Sequence, residues 1–188
     1  MYLGEYAAHL PGRPSNIETA LAEALYLTTL ERNGDVVHMA SYAPLLAKEG
    51  HTQWHPDLIY FDNSTVKPTV GYYVQQLYGQ HAGTTYLGGD IDISSNQDAV
   101  KKRVAFSIVR DDPSKDVIVK LVNLLPVAVN TNVDLGDISV SGKAVKTVLQ
   151  GKPDDKNAKP EQSEITANKQ FDTALPPYSF TVIRLQTL

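Results

Sequence analysis

The chain has 188 residues, 42% of them hydrophobic, which is enough to bury one substantial core or two small ones. Its formal net charge is 17 − 21 = −4, and no window gathers Lys and Arg among aromatics, so nucleic acid is excluded as a partner class. Cysteine is absent, which removes disulfide frameworks, thiolate metal sites and cysteine nucleophiles; no apolar run reaches the roughly 18 residues of a membrane span, and no signal-peptide pattern is present.

In chain order, an apolar opening runs from Met1 to Glu5 and is followed by a loop containing Pro11, Gly12 and Pro14. This order fits a strand that ends near an acidic residue. Ser15 to Gly34 is predicted as a helix, because Ser15 and Glu18 have capping-box spacing and Gly34 can supply a left-handed stop. Ile17, Leu21, Ala24, Leu25 and Leu30 form its apolar stripe. Val36 to Ala43 is short, β-branched at its start and largely apolar, the pattern of a parallel strand buried on both faces, and Pro44 helps to end it. A loop with Gly50, Trp54, Pro56 and Asp57 precedes a second helix from about Pro68 to Tyr78. Strand, loop, helix, strand, loop, helix is the order of the end of a (β/α)8 barrel, in which catalytic groups sit where strands end.

From about Gly83 the pattern changes to the period of strands, with no convincing helix afterwards. Val104–Val109 and Val117–Leu125 flank a hairpin signal rich in Asp, Pro and Ser. Val127–Leu135, Val145–Leu149 and Tyr178–Leu185 continue the series, and residues 151–160 have the composition of an exposed loop. The expected architecture is therefore mainly β: an antiparallel β-sandwich of jelly-roll type over residues 84–188, preceded over residues 1–83 by an α/β remnant of the end of a (β/α)8 barrel.

Several stretches occur in a recognisable order: Glu5-Tyr6-Ala7, Ala22-Glu23-Ala24-Leu25, Leu30 to Val37, Met39-Ala40-Ser41-Tyr42-Ala43-Pro44-Leu45, Trp54 to Asp62, Tyr72 to Tyr78, and Leu175 to Val182. Together they resemble the C-terminal part of an α-L-arabinofuranosidase of glycoside hydrolase family 51. The resemblance is densest over residues 1 to 80, and between about 84 and 170 it lies in character rather than motif. It implies a catalytic (β/α)8 barrel followed by a β-sandwich, with Glu5 as the nucleophile of a retaining mechanism. Such a mechanism pairs two carboxylates about 5 Å apart, and the resemblance places the acid/base Glu on an earlier strand, outside this chain. It implies an arabinofuranose-containing oligo- or polysaccharide as the substrate of the intact parent, a secreted or periplasmic parent, and no cofactor. The chain by itself is expected to be inactive, to lack most of its barrel, and to self-associate through the apolar faces left uncovered. His55 stands where many relatives carry Asn.

Trp54, the only tryptophan, could stack on a sugar ring or pack across the barrel end, and Tyr42 and His38 could face the pocket mouth. His51 and His55 are four residues apart, but Gly50 and Pro56 argue against the helix that would join them at a metal. Asn130–Asp137 lacks the Gly and terminal acid of a calcium loop, and Asn63-Ser-Thr65 fits a glycosylation sequon. No metal site is expected. The competing function is a noncatalytic β-sandwich that binds carbohydrate or packs on a partner domain. Such a module has no use for a capped helix between two strands, and residues 84–188 hold only Tyr86, Phe106, Phe171, Tyr178 and Phe180 as aromatics.

Overall fold

The computed structural model describes all residues, 1–188. Its first 80 residues are built from β1 (Tyr2–Tyr6), α1 (Ile17–Arg32), β2 (Met39–Tyr42), β3 (Leu46–Lys48), β4 (Ile59–Phe61), β5 (Val66–Pro68) and α2 (Val70–Gln80). The remainder comprises β6 (Thr85–Leu87), the single turn α3 (Asp98–Lys101), β7 (Val104–Arg110), β8 (Val117–Asn123), β9 (Val129–Asp134), β10 (Val140–Gln150), β11 (Glu161–Thr166), β12 (Gln170–Leu175) and β13 (Ser179–Thr187).

The centre is a six-stranded antiparallel sheet in the order β11-β10-β13-β8-β7-β6. Alternation along its strands feeds two cores. On β8, Ile118 and Val122 point into a cluster with Ile17, Leu21 and Leu27 of α1 and Val74 and Leu77 of α2. On the same strand Val117, Val119 and Leu121 join Val133 and Leu175 of the β9–β12 pair on the opposite side. The molecule is thus layered as helices, sheet and two-stranded sheet, and the helices of the first 80 residues share one core with the sheet that follows.

The helix α1 starts one residue later than its sequence suggests. Asn16, not Ser15, is the N-cap: its Oδ1 accepts the Thr19 N–H at 3.0 Å, and Thr19 Oγ1 accepts the Asn16 N–H at 3.1 Å. Asn reaches its own N3 amide as well as Ser does, so the competing Ser15–Glu18 spacing lost. At the other end Gly34 is not left-handed; Asn33 closes the helix, with Nδ2 donating to the Thr29 carbonyl at 2.8 Å. The stretch read as an exposed loop, 151–160, packs on this helix: the carbonyls of Asp155 and Pro153 accept the N–H groups of Ile17 and Glu18 at 2.9 and 3.1 Å, and Ala158 is buried in the core. These carbonyls satisfy amides that the first turn of a helix leaves without partners.

Other differences have equally local causes. Val36 and Val37 lie in a turn closed on the Asn33 carbonyl, so β2 is shorter than its apolar run, and it is exposed rather than buried because only β1 flanks it. The segment between the two α/β halves holds three short strands, β3 to β5, that its Gly and Pro content concealed. The polar strands β11 and β12 carry few apolar residues and gave no alternating signal. The helix α2 begins at Val70 because the Thr69 side chain caps it.

At Gly83 the chain turns from α2 into the sheet with φ of 66°, and a Cβ there would come within 2.7 Å of Val109 Cγ2. Only glycine meets both demands.

Candidate active site

The strands β1 and β2 are parallel and joined through α1, a β-α-β unit. Their pairing runs Tyr2 with Met39, Leu3 with Ala40, then Tyr6 with Tyr42, so β1 spends one more residue than β2 between the last two pairs. That extra residue is a bulge, and Glu5 lies within it at φ of 57° with its side chain exposed. A non-glycine residue in the left-handed region costs on the order of 1 kcal/mol or more, and bulges re-aim a side chain that regular pairing would place elsewhere. The strained backbone and the register shift thus coincide at Glu5.

Behind it lies a polar cluster. Glu23, on the buried face of α1 and 3% exposed, accepts the Ala8 N–H at 3.1 Å and Gln75 Nε2 of α2 at 3.3 Å. The Tyr6 hydroxyl donates to Gln75 Oε1 at 2.6 Å, and its ring packs on Tyr26 and Tyr42 at centroid distances of 5.5 and 5.7 Å. Burial pushes the Glu23 carboxyl up to about 7, against the pull of the Ala8 and Gln75 donors and of the nearby Tyr42 hydroxyl. Burial, and then the Glu23 charge, push the Tyr6 hydroxyl up to about 12 and the Tyr42 hydroxyl up further.

The residues singled out by sequence do not all gather at this end. Tyr42, half-buried, pairs with Tyr6 and so flanks the Glu5 bulge. His38 precedes β2, and its N–H bonds to the Met1 carbonyl, which puts it beside the start of β1. At about 3.3 Å per residue that is roughly 13 Å from Glu5 along the strand. Trp54 is 65% exposed in the loop between β3 and β4, its N–H bonded to Thr52 Oγ1. Arg13 ties the loop after β1 to this loop by donating to the His55 carbonyl at 3.2 Å. His55 Nδ1 in turn sits 2.8 Å from the Tyr60 hydroxyl. No three His, Asp or Glu side chains converge as a metal site would require.

Sequence reasoning gave Glu23, Gln75 and Tyr6 no role, although all three stand in the quoted motifs. The signal was present for Glu23: it follows Ala20 by three residues and precedes Leu27 by four, a carboxylate inside an apolar stripe.

Comparison with known proteins fits this geometry. The family described as "Alpha-L-arabinofuranosidase C-terminal domain" matches residues 4–181. Alpha-L-arabinofuranosidase 2 of Arabidopsis thaliana is 30% identical over 99% of the chain, and an extracellular exo-alpha-L-arabinofuranosidase of Streptomyces chartreusis is 45% identical over 83 residues. An arabinose-bound GH51 α-L-arabinofuranosidase superimposes over 93% of the chain with a TM-score of 0.84 at 30% identity. The chain spans 29% of the Arabidopsis protein, 10% of the Streptomyces protein and 28% of that solved chain. This chain belongs to the α-L-arabinofuranosidase C-terminal domain family.

Proposed function

We propose that the chain is the C-terminal part of a retaining α-L-arabinofuranosidase that removes arabinofuranosyl groups from plant-type polysaccharides, with Glu5 as its nucleophile. The observation that carries this reading is the Glu5 bulge: an exposed carboxylate held in a strained backbone at the end of a parallel strand, in a chain that matches the family from residue 4. In this reading residues 1–83 are the end of a (β/α)8 barrel and residues 84–188 a jelly-roll-type sandwich bound to it through the shared core. The apolar side chains exposed at Tyr2, Val36 and Met39 belong at a seam with further strands. Left uncovered, they are a surface for self-association.

In the retaining reaction Glu5 attacks the anomeric carbon as the glycosidic bond breaks, and the acid/base carboxyl protonates the leaving oxygen. Water then displaces Glu5 from the glycosyl-enzyme ester, giving its proton to the same carboxylate. In this reading Tyr42, beside the bulge, and Trp54, in the loop that Arg13 ties to the exit of β1, contact the sugar. The test is turnover of an aryl α-L-arabinofuranoside by the complete enzyme, by its Glu5→Gln variant and by this chain alone. The complete enzyme turns over, and Glu5→Gln loses nearly all activity while still binding substrate. The chain alone shows none, since general acid-base assistance by itself is worth about 10²–10⁴ in rate. A complete enzyme indifferent to Glu5→Gln overturns the assignment.

A further inference from the structure

The backbone that carries Glu5 leaves regular structure soon after the bulge, and few groups fix it. The Tyr6 carbonyl accepts the Ala43 N–H at 3.3 Å, the Tyr6 hydroxyl bonds to Gln75, and the Ala8 N–H bonds to Glu23 Oε1. Two of these three ties run through one pair of side chains, because Gln75 also donates to Glu23 Oε2. The third joins β1 to β2. One carboxylate on α1 is therefore the common acceptor for the β1 exit and for α2. Helix α2 approaches it closely: a Cβ at Gly71 would lie 3.3 Å from Glu23 Oε2.

We propose that Glu23, in its ionised form, is the positioning residue that holds the Glu5 strand end in its reactive placement, and that protonating Glu23 releases it. This rests on the reading of Glu5 as nucleophile. An ionised carboxylate accepts at both oxygens, and here Oε1 takes the Ala8 amide and Oε2 the Gln75 amide, neither of which can accept in return. Protonation sets an O–H against one of these N–H groups: on Oε1 it displaces the Ala8 amide, and on Oε2 it displaces Gln75, through which the Tyr6 hydroxyl is held. Either way the exit of β1 loses a tie. The titratable groups that face Glu23 are Tyr6 on β1 and Tyr42 on β2, and the neutral amide of Gln75 meets it from α2; no cation pairs with it. Burial raises its carboxyl to about 7, so the release falls near neutrality, well above the range of an ordinary nucleophilic carboxylate.

The consequence is read in two ways. In the complete enzyme, kcat and KM for an aryl α-L-arabinofuranoside are measured from pH 5 to 9. The native enzyme gains kcat as pH rises through about 7. In Glu23→Gln, which has a single acceptor oxygen and turns an amide toward a donor, kcat falls roughly 10- to 100-fold with KM nearly unchanged, as a misplacement on the ångström scale gives. The limb near neutrality disappears with it, and Glu23→Asp recovers part of the rate together with a limb. An enzyme that depends on Glu5 yet keeps its kcat and its pH profile in Glu23→Gln overturns the positioning role and leaves the nucleophile standing. In this chain, carbon-13 NMR of the Glu23 carboxyl and nitrogen-15 NMR of the Ala8 amide should titrate with one midpoint. An Ala8 resonance that stays still while Glu23 titrates overturns the coupling, whatever the fate of the Glu5 assignment.

Discussion

The strands β2 and β8 come from similar runs, short and rich in Val and other apolar residues, yet they end in opposite surroundings. All seven residues of β8 are buried; no residue of β2 is. The difference lies in neighbours. The strand β8 is paired on both edges, by β13 and β7, with helices over one face and the β9–β12 pair over the other, whereas β2 has β1 alone. Burial is thus a property of what surrounds a strand, and it sets the terms for polar side chains. On β8, Asn123 must find the carbonyls of Val127, Leu175 and Pro176, and Lys120 must find Glu31. On the ribbon, Glu5 is exposed and needs no such partner.

The largest effect expected from this contrast is at Phe180, fully buried where the sheet meets α2 and stacked on Tyr78 with centroids 4.9 Å apart and planes 6° from parallel. Phe180→Ala should cost about 3–5 kcal/mol, the usual range for an aromatic truncated in a core. Met39→Ala, at a residue 66% exposed on the ribbon, should change stability by no more than about 0.5 kcal/mol. Urea melts of the two variants compare the regions directly. Equal losses would mean that the ribbon is packed as tightly as the sheet.

A smaller effect concerns the ion pair between the helical layer and the sheet. Lys120 has no exposed surface and pairs with Glu31 of α1, whose other oxygen accepts Ser107 Oγ at 2.6 Å; the ammonium also lies 5.2 Å from the Tyr78 ring centroid. Burial lowers the Lys120 pKa, and Glu31 opposes the shift. Lys120→Met alone strands Glu31 and should cost about 3 kcal/mol, the low end for a broken buried pair because Glu31 keeps some access to water. Adding Glu31→Leu should restore most of it. If the double variant is no more stable than the single one, the pair itself holds α1 against the sheet, and desolvation of an orphaned charge is not the cause.

How much of this was legible follows the same physics. Periodicity revealed α1, α2, β7, β8 and β13, because each carries an apolar stripe that must be buried. The polar β11 and β12 were illegible: their places come from pairing with β10 and β9, which a local pattern does not encode. The shared core was hidden for a similar reason, since a change of period at Gly83 marks where elements change type, not where packing stops. At the candidate site, Glu5 was singled out by its place at the end of the opening strand and by the Glu-Tyr-Ala motif and its company. The bulge beneath it leaves no trace in the residue pattern, and Glu23 was visible as an anomaly in an apolar stripe whose meaning needed Ala8 and Gln75 to be brought beside it.

The smallest effect tests the point at which local sequence signals competed. Ser15 and Asn16 are both good caps, and Glu18 three residues after Ser15 favoured the first. The helix uses the second, because starting at Asn16 lets Thr19 close a reciprocal pair and lets the 151–160 loop supply carbonyls to the next two amides. Asn16 is also 7% exposed, so its side chain has little water to fall back on. Asn16→Ala should therefore cost about 1–2 kcal/mol, toward the upper end of the range for caps. Ser15→Ala should cost a few tenths at most, within the range of substitutions away from such features. Equilibrium melts of both variants settle the order. A larger loss at Ser15 would mean that the helix begins a residue earlier in solution, with the Glu18 N–H turned to the Ser15 side chain, and the Pro153 carbonyl would then lose its present donor, loosening the contact between the 151–160 loop and α1.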